Sequence, residues 1–278
     1  MFSLNIHGRL VRYDSPAVMG IINATPDSFH AASRVRTEEA AAAVAARMAA
    51  EGADIIDVGA CSTRPGSVAP AAAEEWARLE PALRAVRREA PGLPVSVDTY
   101  RVDVARRAVE SGLADIVNDI SGGALDPDMF ATVAALRVPY VLMHTRGTPA
   151  DMQQHCNYTD VTAEVIAELA DRLDRLTQAG VADVIVDPGF GFAKTLEQNY
   201  RLMRELPALC SALRRPVLVG VSRKSMLTRL LDIPAADALP ATTALNMLAL
   251  ERGAAVLRVH DVAEAVQAVK IYNALSHA

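Results

Sequence analysis

The chain has 278 residues, 51% of them hydrophobic but only 4% aromatic, so its core must be built mainly of Ala, Val, Leu and Ile. A net charge of −5 removes the electrostatic case for a nucleic-acid partner or an anionic membrane surface, and any anionic ligand has to be met by a local cluster of Arg, Lys and His. Cys61, Cys156 and Cys210 are widely spaced and form no CxxC pair, which fits a reducing, cytoplasmic compartment. The first residues lack the charged and apolar regions of a secretory leader, and the Ala-rich segment 40–50, interrupted by Arg47, is too short and weakly apolar to span a membrane.

Along the chain, eight short apolar runs each end in a polar or charged residue and lead into a helix-like stretch. The first four are 17–22 ending at Asn23, 54–56 at Asp57, 95–97 at Asp98 and 115–117 at Asn118. The later four are 140–143 ending at His144, 184–186 at Asp187, 217–221 at Ser222 and 254–257 at Arg258. Runs of this length, rich in Val and Ile, suit strands buried on both faces of a parallel sheet. Eight β-then-α units predict an α/β protein with a single-domain (β/α)8 TIM barrel, whose active site lies where the strands end. The polar residues that close the runs therefore form the candidate site.

Several helices carry their own start and stop signals. Thr37 is placed to cap a helix with Glu38 and Glu39 in its first turn, and Gly52 to close it. Asp126-Pro127 predicts a helix start running through Leu136. Asp160 opens an amphipathic stretch with Val161, Val165, Leu169, Leu173 and Leu176 on one face, ending before Gly180. Asp261 is placed to cap the last helix, through about Ser276. Segments 25–36, 61–70 and 145–158 are longer, contain Pro and follow strands, so they are candidate mouth loops.

Four segments carry the chemistry: Asn23-Ala24-Thr25-Pro26-Asp27-Ser28-Phe29, Ser62-Thr63-Arg64-Pro65-Gly66, Asp187-Pro188-Gly189-Phe190-Gly191-Phe192 and Ser222-Arg223-Lys224-Ser225. With Ser96-Val97-Asp98-Thr99, Asn118-Asp119-Ile120 and Arg258-Val259-His260, the chain resembles the dihydropteroate synthases, pterin-binding TIM barrels, in order over almost its whole length. One such segment is weak, because DPGFG alone suits an ordinary strand-end turn. Seven in register are specific.

The resemblance implies a transferase of folate biosynthesis, one pterin-binding barrel domain over 1–278. It would join 6-hydroxymethyl-7,8-dihydropterin diphosphate to p-aminobenzoate, releasing diphosphate. A pterin edge resembles guanine, and a carboxylate accepts its ring N–H and exocyclic amine together through charge-assisted bonds. The resemblance gives that job to Asp187, with Asn118, Lys224, Asp98 and Arg258 completing the pterin pocket. Asp98, Lys224 and Arg258 also take the catalytic roles. Arg258 and His260 alternate along the last strand and can face one side. With Asn23 and Thr63 they are the family's diphosphate site, and Asn23 is the protein ligand for the expected Mg2+, which keeps most of its waters. Phe29, Thr63, Arg64, Pro65, Phe190 and Ser225 are matched to the p-aminobenzoate subsite. For Phe190, the flanking Gly189 and Gly191 argue for a wall of that subsite over a core position. Taken alone, Asp98 and Asp187 read equally well as helix caps, Lys224 as a solvated lysine, and Arg258 as a partner of Asp261 or Glu264.

A dissociative, SN1-like reaction is expected. It needs positioning and electrostatics but no catalytic triad, leaving His144 and His30 to structure or gating. Departures from the family pattern fall in the first two loops, at Ala31 and Cys61. A homodimer and sulfonamide binding are further implications of the resemblance. The competing readings are a methyltetrahydrofolate–corrinoid methyltransferase and a non-catalytic pterin-binding protein.

Overall fold

The computed structural model describes residues 1–24, 38–61 and 70–276. Strands β1 (Phe2–Ile6) and β2 (Arg9–Tyr13) form an antiparallel hairpin that the reading of the sequence did not anticipate. Its two-residue turn, His7-Gly8, has φ of 50° and 83°, the left-handed pair that a tight hairpin turn demands. The Gly8 amide donates to Asn5 Oδ1 at 2.8 Å, fixing the turn.

The barrel strands are β3 (Ala17–Asn23), β4 (Ile55–Gly59), β5 (Val95–Asp98), β6 (Ile116–Asp119), β7 (Tyr140–Met143), β8 (Val184–Asp187), β9 (Leu218–Val219) and β10 (Val256–Val259). All are parallel, in the order β8-β7-β6-β5-β4-β3-β10-β9, and a parallel bridge between Val186 and Val217 joins the two ends of the sheet. The expected (β/α)8 barrel is thus the observed fold, in one domain. Asp57 lies inside β4 and not at its end, and β9 is shorter than the apolar run 217–221.

Ten helices lie among the described residues: α1 (Glu38–Glu51), α2 (Ala72–Glu89), α3 (Val102–Glu110), α4 (Met129–Leu136), α5 (Val161–Ala179), α6 (Leu196–Arg204), α7 (Leu206–Leu213), α8 (Ser225–Leu231), α9 (Leu239–Glu251) and α10 (Val262–Ser276). None is long and apolar enough to cross a membrane. The Asp160 prediction holds in detail: its carboxylate accepts from the amides of Thr162 and Ala163, and Gly180 closes α5 in the left-handed conformation. Gly52 follows α1 with φ of 94°, while the proposed cap Thr37 lies outside the described residues.

Two helix starts differ from expectation. The first turn of α4 begins after Asp128, because Asp126 is occupied elsewhere, accepting from the amides of Val102 and Asp128. Asp261 is gripped by Arg223 through two bonds of 2.8 and 2.9 Å, so its carboxylate serves a loop and not α10. The stretch before β9 also holds two helices where one was expected, α7 restarting with Pro207 in its first turn.

Side chains alternate across each strand. One set, including Ile56, Val58, Val97, Val117 and Leu142, packs outward against the helices in the main core. The opposite set, Ala17, Met19, Ile55, Ile116, Val141, Ile185, Leu218 and Val256, fills the lower barrel together with Leu4, Ile6 and Tyr13 of the hairpin. The hairpin therefore plugs the end of the barrel away from the strand C-termini.

Candidate active site

Two residues above that apolar layer, the same strand faces turn polar. Ile55 is followed at this spacing by Asp57, Ser96 by Asp98, Ile116 by Asn118, Ile185 by Asp187 and Val256 by Arg258. These side chains meet across the barrel. Arg258 Nε donates to Asp57 Oδ2 at 2.7 Å, and one of its terminal nitrogens donates to Asp98 Oδ2 at 2.8 Å. Asn118 Nδ2 donates to the same Asp57 oxygen at 3.0 Å. Asp57 is fully buried and its Oδ1 has no partner.

Arg258 accordingly spans two carboxylates. Burial works against its charge, but Asp57 and Asp98 hold its pKa above the ordinary value. Burial raises the pKa of Asp98 against the pull of Arg258, and Asp57 raises it further. Gly59 makes room for Asp98: a Cβ there would lie 3.2 Å from the Cβ of Asp98. The pairing of Arg258 with Asp261 or Glu264, weighed from sequence, is not what forms. Asp98 pairs with Arg258 and caps nothing.

Opposite, Asp187 ends β8 and enters the turn 188–192. Its Oδ1 accepts from the Gly189 amide at 2.7 Å, and burial raises its pKa against the positive charges of Lys224 and Arg258. Lys224 Nζ donates to the Phe190 carbonyl at 2.6 Å and lies 4.9 Å from the centre of the Phe192 ring. Burial brings its pKa down to about 8, opposed chiefly by Asp187. Gly220, bare of side chain, stands between the two cations: a Cβ there would lie 3.8 Å from the Cβ of Arg258 and 3.9 Å from Lys224 Nζ.

His260 Nδ1 lies 3.0 Å from the Ser222 hydroxyl, which also accepts from the His260 amide at 3.3 Å. Asn23 is half-buried at the end of β3, and Ser225 is exposed at the start of α8. Arg223, within the same Ser-Arg-Lys-Ser segment, is structural: besides Asp261 it donates to the carbonyls of Ala235 and Ala236.

Phe190 departs from expectation. It is fully buried and packs with the main core. The glycines on either side have φ of 72° and 83°, and the carbonyl between them accepts from Lys224. Phe29, Thr63, Arg64 and Pro65 lie outside the described residues, as do His30 and Ala31. Reasoning from sequence left Asp57 and Phe192 without roles and did not single out Lys194. The signal for Asp57 was present: it stands two residues after the inward Ile55.

His144, read as structural or gating, is fully buried. Its Nε2 lies 3.1 Å from Glu168 Oε2 and its Nδ1 3.1 Å from Lys194 Nζ. Burial, with Lys194 adding to it, lowers its pKa to about 4. Among the described residues no group of three or more His, Cys, Asp or Glu is arranged to hold a metal ion.

Comparison with known proteins gives one consistent result. The profile of the pterin binding enzyme family matches residues 19–260. A dihydropteroate synthase of Synechocystis is 42% identical over 93% of this chain and 89% of its own. The structure of the Xanthomonas albilineans dihydropteroate synthase with 4-aminobenzoic acid superposes with a TM-score of 0.90 at 40% identity, covering 99% of this chain and 98% of that one. The Yersinia pestis dihydropteroate synthase in complex with a sulfonamide drug gives a TM-score of 0.93 at 35% identity, with both chains covered completely.

Proposed function

This chain belongs to the pterin-binding enzymes, among the dihydropteroate synthases of folate biosynthesis, and from that premise we propose how its own residues divide the reaction. The enzyme is a transferase: it condenses 6-hydroxymethyl-7,8-dihydropterin diphosphate with p-aminobenzoate, forming dihydropteroate and releasing diphosphate. The observation that carries the residue assignment is the polar layer directly above the apolar plug, where Asp57, Asp98, Asn118 and Arg258 form one hydrogen-bonded group beside Asp187 and Lys224.

Asp187 accepts the paired N–H groups of the pterin edge, Asn118 serves the neighbouring ring nitrogens, and Lys224 donates to the ring carbonyl. Desolvation strengthens each of these bonds. Asp98 faces the cationic character that develops on the pterin as the C–O bond breaks, and stabilises it electrostatically. Arg258, already held by Asp57, keeps a forked cation at the layer where the diphosphate departs, with His260 as a further donor. The incoming amine is only weakly basic and attacks a delocalised cation, so no strong base is required of the protein. Its carboxylate is taken by Ser225 at the exposed start of α8 together with the segment from Thr63 to Pro65.

Asn23 offers a single amide oxygen at the mouth, and a hydrated Mg2+ fits such a site because it keeps most of its waters and takes further oxygens from phosphates. Bound there, it would neutralise charge on the leaving diphosphate. A homodimer through the outer helices is supported by Leu230, Leu231, Leu248, Ile271 and Leu275, exposed on α8, α9 and α10. A cytoplasmic location and sulfonamide binding at the p-aminobenzoate subsite complete the proposal.

The test is to incubate the purified protein with the pterin diphosphate, Mg2+ and p-aminobenzoate and to follow dihydropteroate and diphosphate together. Stoichiometric release of both is expected. Pterin binding without turnover would overturn the catalytic reading, and methyl transfer from methyltetrahydrofolate to a corrinoid acceptor would replace it.

A further inference from the structure

The turn after β8 is held on every carbonyl it presents between residues 189 and 192. Lys194 Nζ donates to the Gly189 and Phe192 carbonyls, each at 3.0 Å. Lys224 takes the Phe190 carbonyl at 2.6 Å, and Gln153 donates to that of Gly191 at 3.3 Å. Lys194 itself is only 3% exposed, and none of the reaction steps above uses it. We propose that Lys194 is a positioning residue for pterin recognition, holding this turn, and through it the carboxylate of Asp187, in the shape that receives the pterin edge. The inference rests on Asp187 being the pterin acceptor.

The coupling from Lys194 to Asp187 is one residue long. The Gly189 carbonyl is bound by Lys194, and the Gly189 amide donates to Asp187 Oδ1 at 2.7 Å. Only glycine fits at 189, since a Cβ there would sit 1.9 Å from the His144 carbonyl oxygen. Releasing the Lys194 bonds frees the peptides that follow Gly189 and Phe192 to rotate, and the Gly189 amide that anchors the Asp187 carboxylate moves with them. The third contact of Lys194 is His144 Nδ1.

Hydrogen-bond bookkeeping assigns its charge state. Against the burial that raises it, bonds from His144 and Arg146 hold the Glu168 carboxyl down at about 2, so it is an ionised acceptor. His144 must then present Nε2–H to Glu168, which leaves Nδ1 as an acceptor facing Lys194. Two carbonyls and one imidazole nitrogen use all three protons of an ammonium; a neutral amine would set a lone pair against one of them. The charged and titratable groups around Lys194 are Asp187 on β8, Lys224 before α8, the neutral His144 after β7, Arg146 in the loop that follows, and Glu168 on α5. Burial lowers its proton affinity to a pKa of about 7, opposed by Asp187 and Glu168.

Two variants test this by calorimetric titration with the pterin diphosphate. Lys194→Met keeps the bulk and removes the amine; pterin affinity should fall about 10- to 100-fold, as misplacement of a recognition group does, while KM for p-aminobenzoate at saturating pterin stays within about twofold. A folded Lys194→Met protein with wild-type pterin affinity overturns the proposal. Because three buried acceptors lose their donor in that variant, Glu168→Gln provides a second route. It removes the negative charge supporting the Lys194 proton, so the pH at which pterin affinity is half lost on the alkaline side should move down, by about half a unit or more. An unchanged midpoint overturns the proposal. Wild-type protein that fails to bind pterin removes the pocket assignment and this inference together, whereas wild-type binding with both variants unaltered removes only the inference.

Discussion

The two ends of the barrel use the same strands for opposite purposes. At the lower end, Ile55, Ile116, Ile185 and Val256 pack with the hairpin residues Leu4, Ile6 and Tyr13 into an apolar plug. Two positions later, the same strand faces present Asp57, Asn118, Asp187 and Arg258. Charges at that height are desolvated, and each is tolerated because it is paired or hydrogen-bonded. The plug is close apolar packing, and the layer resting on it holds the residues proposed for recognition. A single step of the strand period separates residues whose loss should be felt as unfolding from residues whose loss should be felt as lost binding.

Strand β8 offers the cleanest way to break that contrast. Asp187→Ala should cost about 3–5 kcal/mol of pterin binding, the usual loss when one partner of a buried charged group is removed, with little change in Tm; calorimetry and thermal melts read both. Ile185→Ala, one step below, should do the reverse, lowering unfolding free energy by about 2–5 kcal/mol while the folded fraction binds pterin normally. If Ile185→Ala weakened pterin binding as strongly as Asp187→Ala, the division between the layers would be wrong.

His144 sharpens the comparison through pH. Its folded pKa of about 4 lies below the ordinary histidine value, so the unfolded chain binds the proton more readily. The associated stability is complete above about pH 6.5 and is lost as pH falls through 4, about 3 kcal/mol in all. Denaturant melts between pH 4 and 7 should show that slope, and His144→Gln should flatten it. The smallest effect belongs to the plug. Tyr13 has a buried hydroxyl without a partner, so Tyr13→Phe should leave stability within about 0.5 kcal/mol of wild type or raise it.

The βα beat was legible because strands buried on both faces write themselves as Val- and Ile-rich runs, and their polar ends marked the mouth. Asp98, Asn118 and Arg258 join one hydrogen-bonded group there with Asp57, beside Asp187 and Lys224. What stayed hidden depends on directions that a linear pattern does not encode. Phe190 reads as a pocket wall because it stands between glycines, and the fold buries it with the main core. Lys194 reads as an ordinary lysine before a helix until the fold gathers the Gly189 and Phe192 carbonyls around it. Arg223 and Asp261 looked like site and cap residues but chose each other across 38 positions. The hairpin went unseen because its alternation is short and its turn signal is a single His-Gly pair.

The closure of the barrel is uneven. Between β3 and β4 five residue pairs share a ladder, whereas among the described residues β8 meets the segment leading into β9 through the bridge of Val186 with Val217 and the bond from the Val186 amide to the Pro216 carbonyl. The ring has a seam, and the seam runs between Asp187 on one side and the segment carrying Gly220 and Lys224 on the other. Amide hydrogen exchange should therefore be fastest along this line of the barrel wall. The wall of the cylinder is thus least tied beside Asp187 and Lys224 and most tied between β3 and β4, on the opposite side of the sheet order.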